Sequence, residues 1–376
     1  MDKYRTLLEY GQSYWLDNLS REMITNGELK KRIEKEGLRG ITSNPKIFHG
    51  AISKGDFYDD QIKDLIKSID EVGVIYENLA VKDIQDACDM LKGVYDSSDG
   101  VDGFVSLEVS PHLARETDET MEEARRLFNE VDRPNCFIKI PGTKEGVPAI
   151  EEMLYEGINI NITLLFSIDS YEAVAEAYLN ALERRINENK PIDKLRSVAS
   201  FFLSRIDVLV DQQLKEEIIP DLKNEQQLIA NNLLGESAIA SAKIAYKRFK
   251  EIFSGERWEK LKAAGAKVQR PLWASTSNKN EAYSATRYVE PLIGKDTVNT
   301  MPGETIEAYR EYGKIEKDTI DRDLEHAFKV FEDLRKSGVD MGQVTSQLVE
   351  EGIQKFIDPF DKLLGALEEK VNKMKQ

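Results

Sequence analysis

The sequence predicts an α/β protein, a TIM-type (β/α)8 barrel with extra helices, and two regularities along the chain predict it. Short β-rich apolar runs alternate with longer stretches of helical periodicity, which is typical of repeated βα units. Eight such runs occur, and eight is the strand number of this barrel. They cover residues 13–17, 38–43, 102–109, 136–141, 158–164, 196–203, 268–275 and 297–301.

Amphipathic helices are predicted between the strands, for example over residues 116–131 and 170–187. Residues 212–267 are more than one crossover helix needs, so we expect two or three helices inserted between the sixth and seventh strands. After Pro302 the chain is charged and helix-like, notably over 315–337 and 343–373. We therefore expect one domain over residues 1–376, with a helical insertion around 212–267 and a helical C-terminal tail around 303–376 that packs outside the barrel.

The composition narrows the class of protein and of partner. The 376 residues are 41% hydrophobic and 32% charged, as in a folded soluble protein. With 52 basic against 68 acidic residues, the net charge of -16 disfavours nucleic acid and anionic membranes as partners, although a local cationic pocket can still bind an anionic small molecule. Cys88 and Cys136 form no CxxC pattern, the start does not resemble a signal peptide, and no apolar run approaches a membrane span. A cytoplasmic protein is expected.

Polar residues alternate with apolar ones along several predicted strands. Ser106 and Glu108 oppose Val105 and Leu107, and Lys139 stands between two isoleucines. Because alternate residues of a barrel strand point inward, these side chains converge inside the barrel. The same period places further polar residues inward or near strand ends, namely Asp17, Thr42, Asn44, Asn159, Asn161, Thr163, Ser200 and Ser275.

Two structural explanations of these charges compete with a functional one. Lys139 and Glu108 would form a buried ion pair joining two strands, or both would face solvent. The solvent explanation conflicts with the apolar residues on the other faces of the strands, which must pack against helices. An enclosed charge without a partner costs several kcal/mol, so a whole inward set of charges favours function.

Seven segments in order resemble the signature segments of the transaldolase family, in its longer bacterial form, across most of the chain. They are WLDNLS, GITSNP, VSLEVSP, FIKIPGT, NINITLLFS, VASFFLSRID and TVNTMP. The resemblance implies a class I aldolase barrel that needs no metal or other cofactor, with Lys139 as the residue that forms a Schiff base. A nucleophilic amine must be neutral, and we expect enclosure in the barrel to favour that form.

The resemblance also implies roles for the other residues. Asp17 handles the proton of the C4 hydroxyl, and Glu108 with Thr163 holds a water that shuttles protons. Residues that bind the donor sugar or support the lysine are Thr42, Asn44, Asn161 and Ser200. For Asn44 the alternative is a turn-forming residue before Pro45.

The phosphate site departs from the family pattern. Arg205 matches the family's phosphate-binding arginine, whose guanidinium fork suits the role. Ser275 matches a family serine, but Ser277 stands where many relatives have a basic residue. Lys279 and Arg287 are therefore both candidates for a second phosphate-binding cation.

The implied function is transfer of a dihydroxyacetone unit from sedoheptulose 7-phosphate to glyceraldehyde 3-phosphate in the pentose phosphate pathway. Phe202, rather than tyrosine, favours this transferase over a fructose 6-phosphate aldolase. That aldolase and a noncatalytic sugar-phosphate-binding barrel remain the alternatives. Isolated histidines and the lack of a phosphate-loop motif argue against zinc chemistry and nucleotide cofactors. The sequence leaves open a monomer or a homodimer.

Overall fold

The computed structural model describes residues 3–53 and 55–375, and its centre is a closed barrel of eight parallel strands in chain order. The predicted fold class is confirmed. All eight predicted strands are present, each within two residues of the expected bounds. They are β1 (Gln12–Asp17), β2 (Gly40–Thr42), β3 (Phe104–Glu108), β4 (Cys136–Pro141), β5 (Ile160–Leu165), β6 (Ser197–Phe202), β7 (Arg270–Ala274) and β8 (Thr297–Met301).

The helices lie around and across this barrel. The part of the chain that the structure describes contains α1 (Lys3–Glu9), α2 (Arg21–Thr25), α3 (Glu28–Lys35), α4 (Pro45–Ile52), α5 (Asp59–Leu65), α6 (Val72–Ser97), α7 (Thr117–Val131), α8 (Gly146–Glu156), α9 (Ile168–Asn187), α10 (Ser204–Gln213), α11 (Asn224–Asn232), α12 (Ser237–Ile252), α13 (Gly255–Ala263), α14 (Gly303–Tyr312), α15 (Leu324–Ser337) and α16 (Met341–Lys375). Every helix described is too short or too polar to cross a membrane.

The long connection between β6 and β7 holds α11, α12 and α13 within residues 212–267. The α12 helix packs on α9 and α10 of the barrel wall and on α15 of the C-terminal region. The last helix, α16, contacts α4, α6, α10 and the end of β5. It therefore lies across the end of the barrel where the strands finish.

The strand register places the predicted polar residues side by side. Glu108 of β3 pairs with Lys139 of β4, and Lys139 pairs with Asn161 of β5. Residues paired in neighbouring parallel strands point to the same face of a sheet, so these three side chains share the barrel interior.

The opposite end of the barrel holds an enclosed ion pair that the sequence analysis did not single out. Asp102 accepts hydrogen bonds from Arg270 Nη1 at 3.0 Å and from Ser13 Oγ at 2.7 Å. Burial opposes ionisation of Asp102, but Arg270 and Ser13 outweigh it and hold the pKa of this carboxyl below its ordinary value. In an α/β barrel, residues at the N-terminal ends of the strands contribute stability rather than chemistry.

Candidate active site

A cavity of about 550 Å³ opens at the C-terminal ends of the strands. This is the end at which α/β barrels carry their active sites. Eight of the predicted site residues line it, namely Asp17, Thr42, Asn44, Lys139, Ser200, Phe202, Arg205 and Ser275. The other three, Glu108, Asn161 and Thr163, lie on β3 and β5 beside Lys139 rather than on the cavity wall.

Lys139 is the only lysine carried by the eight strands, and its side chain is 6% exposed. Its Nζ donates hydrogen bonds to the carbonyl oxygen of Ser43 at 3.0 Å and to Glu108 Oε2 at 3.2 Å. The ion pair considered from the sequence is therefore formed. Because Lys139 also lines the cavity, the pair does not withdraw the amine from a ligand.

Glu108 is a carboxylate in an unusual environment. Burial raises its pKa to about 6, Lys139 opposes the shift, and Asp17 adds to it. Glu108 Oε1 and Thr163 Oγ1 are both buried without a hydrogen-bond partner among the described residues. Buried polar oxygens are normally bonded to protein or to water, so these two atoms are ready to bind a water or a substrate group.

Asp17 ends β1 and faces the cavity. Its Oδ1 accepts a hydrogen bond from Thr42 Oγ1 at 2.9 Å, and Thr42 also contacts Thr300 Oγ1 at 2.7 Å. Burial raises the pKa of Asp17, while Lys139 and Thr42 oppose the shift. A carboxyl group with a raised pKa, within the electrostatic reach of an amine, suits proton transfer near neutral pH.

Three amide and hydroxyl groups are fixed by hydrogen bonds beneath and beside the lysine. Asn161 donates to Ser106 Oγ at 3.0 Å and accepts from Ser200 Oγ at 2.7 Å, which fixes the orientation of its amide. Asn44 caps α4 by accepting from Ile47 N at 3.1 Å while lining the cavity. Both explanations of Asn44, local backbone support and contact with a ligand, are therefore compatible with its position.

Cations gather at one side of the cavity. Arg205 follows β6 in the first turn of α10, and its guanidinium stands 5.8 Å from the Phe202 ring. Burial lowers the pKa of Arg205, and its Nη1 has no hydrogen-bond partner within residues 3–53 and 55–375. A buried guanidinium nitrogen without a partner beside a cavity is suited to bind an anion.

The two candidates for a second cation separate in the structure. Lys279 lines the cavity, and its Nζ donates to Ser277 Oγ, the residue that replaces the expected basic side chain. Arg287 does not line it, because the loop after β7 carries this residue to the carbonyl oxygen of Gly235 and to Glu236. Of the two candidates, Lys279 alone is therefore on the cavity wall.

Ser275 has a left-handed backbone, with φ of 54°, and its Oγ lies 2.9 Å from Ser204 Oγ. This unusual conformation directs the chain from β7 into the loop that carries Lys279. Burial lowers the pKa of Lys279, Glu304 opposes the shift, and Lys46 and Arg205 lower it further. The mutual effect of these cations indicates one shared region of positive potential.

Several cavity residues escaped the sequence analysis. Lys46 follows Pro45 at the start of α4, and Glu304 lies in the first turn of α14. Phe356 belongs to α16, and its ring centroid lies 5.6 Å from Lys139 Nζ. Only Lys46 carried a usable signal, since it directly follows the TSNP segment that forms a strand end. The structure describes no cluster of three or more His, Cys, Asp or Glu residues that could hold a metal ion.

The fold and the site define an α/β-barrel enzyme centred on an enclosed lysine. A family model described as Transaldolase/Fructose-6-phosphate aldolase matches residues 14–367, so the chain belongs to that family. A protein named Transaldolase from Trichodesmium erythraeum (strain IMS101) is 48% identical over 370 residues, which cover 97% of this chain and 96% of that protein. Transaldolase 2 of Nostoc punctiforme (strain ATCC 29133 / PCC 73102) is 46% identical, with 96% of each chain covered. The Transaldolase of Parafrankia sp. (strain EAN1pec) is also 46% identical over 96% of each chain.

Proposed function

We propose that the protein is a transaldolase that carries a dihydroxyacetone unit on Lys139 as a Schiff base. The unit passes from sedoheptulose 7-phosphate to glyceraldehyde 3-phosphate, and the products are erythrose 4-phosphate and fructose 6-phosphate. The observation that carries the proposal is Lys139 Nζ at the wall of the cavity, 3.2 Å from Glu108 Oε2. Relatives that bear the name transaldolase over nearly the whole chain support the transferase reaction.

The first step is formation of the Schiff base. The neutral amine of Lys139 attacks the C2 carbonyl of the ketose, and loss of water leaves an iminium ion. We assign the proton transfers of this step to Glu108, through a water held between Glu108 Oε1 and Thr163 Oγ1. The pKa of Glu108 near 6 supports this role, because a group with that pKa both accepts and donates protons at neutral pH.

The second step is cleavage of the C3–C4 bond. Asp17 takes the proton of the C4 hydroxyl, the bond breaks, and its electrons move to the iminium to give an enamine while erythrose 4-phosphate leaves. The enamine carbon then attacks the aldehyde carbon of glyceraldehyde 3-phosphate, and Asp17 returns the proton to the new hydroxyl. Hydrolysis of the iminium releases fructose 6-phosphate. The raised pKa of Asp17 supports this exchange of roles.

The remaining residues bind and orient the sugars. We assign the phosphate to Arg205 and Lys279 and the hydroxyls of the donor to Thr42, Asn44 and Ser200. Ser275 supports the phosphate side of the cavity, Asn161 holds Ser200 in position, and Phe202 forms an apolar wall. Fixed hydrogen bonds before the substrate arrives reduce the entropy lost on reaching the reactive geometry.

The test of the central claim is reductive trapping. The protein is incubated with fructose 6-phosphate and borohydride, and its peptides are then mapped by mass. A three-carbon adduct on Lys139 is expected, and Lys139→Ala should abolish both the adduct and turnover. An unmodified Lys139 peptide, with turnover intact, would refute the proposal. Retained ligand binding in a protein that never turns over would instead favour a noncatalytic sugar-phosphate barrel.

A fructose 6-phosphate aldolase is the second candidate, because the family description includes that activity. The two reactions differ in the fate of the enamine. An aldolase releases free dihydroxyacetone from fructose 6-phosphate without an acceptor, whereas a transaldolase waits for an aldehyde. Phe202 supports the transferase, since its ring has no hydroxyl to assist hydrolysis. Measuring free dihydroxyacetone in the absence of acceptor separates the two reactions.

The partners, the cellular location and the oligomeric state stay predictions. We infer phosphorylated sugars as the partners, neither nucleic acid nor membrane as a partner, and a cytoplasmic location. The acidic composition and the two free cysteines accord with this inference. A monomer and a homodimer both fit this proposal. We also infer that the whole chain acts as one barrel domain with its helical insertion and tail.

A further inference from the structure

The last helix, α16, makes a close approach to the barrel end beside the lysine. A Cβ on Gly352 would lie 3.0 Å from Leu164 Cδ2 and 3.5 Å from Phe166. Glycine therefore allows this turn of the helix to rest on the end of β5 more closely than a larger residue would. The next turn of the helix presents Phe356.

Phe356 covers the lysine from the side of α16. Phe356 is 7% exposed and lines the cavity, and its ring centroid lies 5.6 Å from Lys139 Nζ. The hydrogen bonds of Nζ go to the Ser43 carbonyl oxygen and to Glu108. Phe356 therefore adds an apolar ring to the surroundings of an amine that is also bonded to two polar groups.

Two side-chain contacts near the surface flank Phe356 along α16. Glu350, two residues before Gly352, pairs with Arg115, and Asp361, five residues after Phe356, contacts His112 Nε2 at 2.8 Å. Both partners belong to the segment that follows β3. Together with the packing of α16 on α4, α6, α10 and β5, these contacts place the buried Phe356 ring in the cavity wall.

We propose that Phe356 is a specificity-determining residue that keeps water away from the three-carbon enamine on Lys139 until an acceptor aldehyde arrives. The inference rests on the proposed Schiff-base function. With the ring centroid 5.6 Å from Nζ, a three-carbon unit bonded to this nitrogen would lie next to the ring. The ring then occupies a place from which water would otherwise reach the nucleophilic carbon of the enamine.

The side reaction that Phe356 suppresses consumes one water. The enamine carbon takes a proton from water and becomes the carbon of a hydroxymethyl group next to an iminium ion. Water adds through its oxygen to the iminium carbon and loses a proton, the carbon–nitrogen bond breaks as nitrogen takes a proton, and free dihydroxyacetone leaves a regenerated Lys139 amine. In the productive reaction the same enamine carbon bonds to the aldehyde carbon instead. Exclusion of water as the proton donor to this carbon therefore sets the ratio of transfer to release.

The experiment compares three variants of the full chain with the parent. Phe356→Ala opens the space, Phe356→Leu keeps it apolar without an aromatic ring, and Leu363→Ala removes a comparable buried contact on α16 away from the cavity. Free dihydroxyacetone is measured from fructose 6-phosphate alone, and transfer is measured with erythrose 4-phosphate as acceptor. The ratio of release to transfer is the readout.

Phe356→Ala is expected to raise the ratio of release to transfer by about tenfold, as loss of a water-excluding wall should. Phe356→Leu and Leu363→Ala should stay within about threefold of the parent, since the former keeps an apolar cover and the latter leaves the cavity wall unchanged. An unchanged ratio in Phe356→Ala would overturn the inference. An equal rise of the ratio in Phe356→Leu would also overturn the inference, because it would point to the aromatic face. An equal rise in Leu363→Ala would overturn it by pointing to the docking of the helix.

Borohydride trapping distinguishes failure of the proposed Schiff-base function from failure of the inference about Phe356. If Lys139 of the parent protein forms no adduct, the proposed function fails, and the ratio has no meaning. If the parent and Phe356→Ala both trap the adduct but share one ratio, only the inference about Phe356 fails.

Discussion

Glu108→Gln is the sharpest perturbation of the proposed chemistry. The substitution keeps the size of the side chain and one acceptor oxygen but removes its ability to exchange a proton. Glu108 lies 3.2 Å from Lys139 Nζ and is almost fully enclosed, so the change acts directly at the reacting amine. The proposed water-mediated proton transfer should fail, whereas the cavity should keep its shape.

The expected loss of rate follows from the pKa of Glu108 and from the usual cost of removing an acid–base group. A shift of the Glu108 pKa from 4.5 to about 6 raises the protonated fraction at neutral pH by about thirtyfold, since each pKa unit is a factor of ten. The carboxyl therefore serves as base in most molecules and as acid in a useful minority. Loss of a positioned acid–base group costs about 10²–10⁴ in rate. We expect Schiff-base formation in Glu108→Gln to slow by that factor.

The assay is the time course of adduct formation on Lys139, in samples quenched with borohydride at successive times and at several pH values. In the parent, the rate should fall as the pH drops through about 6, because protonation of Glu108 removes the base. Glu108→Gln should lack this acidic limb. A variant that forms the adduct at the parental rate, or that keeps the same limb, would refute the assignment.

Three further predictions address other parts of the molecule. Asp17→Asn should still form an adduct with dihydroxyacetone and borohydride but should cleave fructose 6-phosphate about 10²–10⁴ times more slowly, and normal cleavage would exclude Asp17 as the acid–base group. Arg205→Met and Lys279→Met should both raise KM for fructose 6-phosphate, and the increase should be larger for Arg205→Met. Arg287→Met is the control and should leave KM within about threefold of the parent value. A large KM effect confined to Arg287→Met would contradict the phosphate assignment. Asp102→Asn should lower the free energy of unfolding in urea by about 3–5 kcal/mol, because it leaves a buried arginine unpaired, and an unchanged urea midpoint would show that the pair contributes nothing.

The barrel was predictable because its strands carry a strong periodic signal. Eight short runs with the right spacing gave the strand number and order, and the structure confirms both. Period-two alternation in β3, β4 and β5 also placed Glu108, Lys139 and Asn161 on one face, and the strand register aligns them. Such reasoning succeeds because each strand residue has only two faces to choose from.

The contacts made by loops and by the last helix were not predictable in this way. Lys279 and Arg287 belong to the same connection after β7, and only the path of its backbone decides that one reaches the cavity and the other turns to Gly235. Residues 343–373 were predicted to be helical and to pack outside the barrel, but a helical pattern does not say which surface of the barrel the helix covers. The position of Phe356 beside Lys139 therefore could not be predicted from the sequence.

The position of α16 has a consequence for how the protein matures. Translation delivers all eight strands, and with them Lys139, before α16 leaves the ribosome. A barrel that forms at that stage has Lys139 without Phe356 beside it. A chain that stops before α16 would therefore contain every strand but lack the part of the cavity wall that α16 contributes.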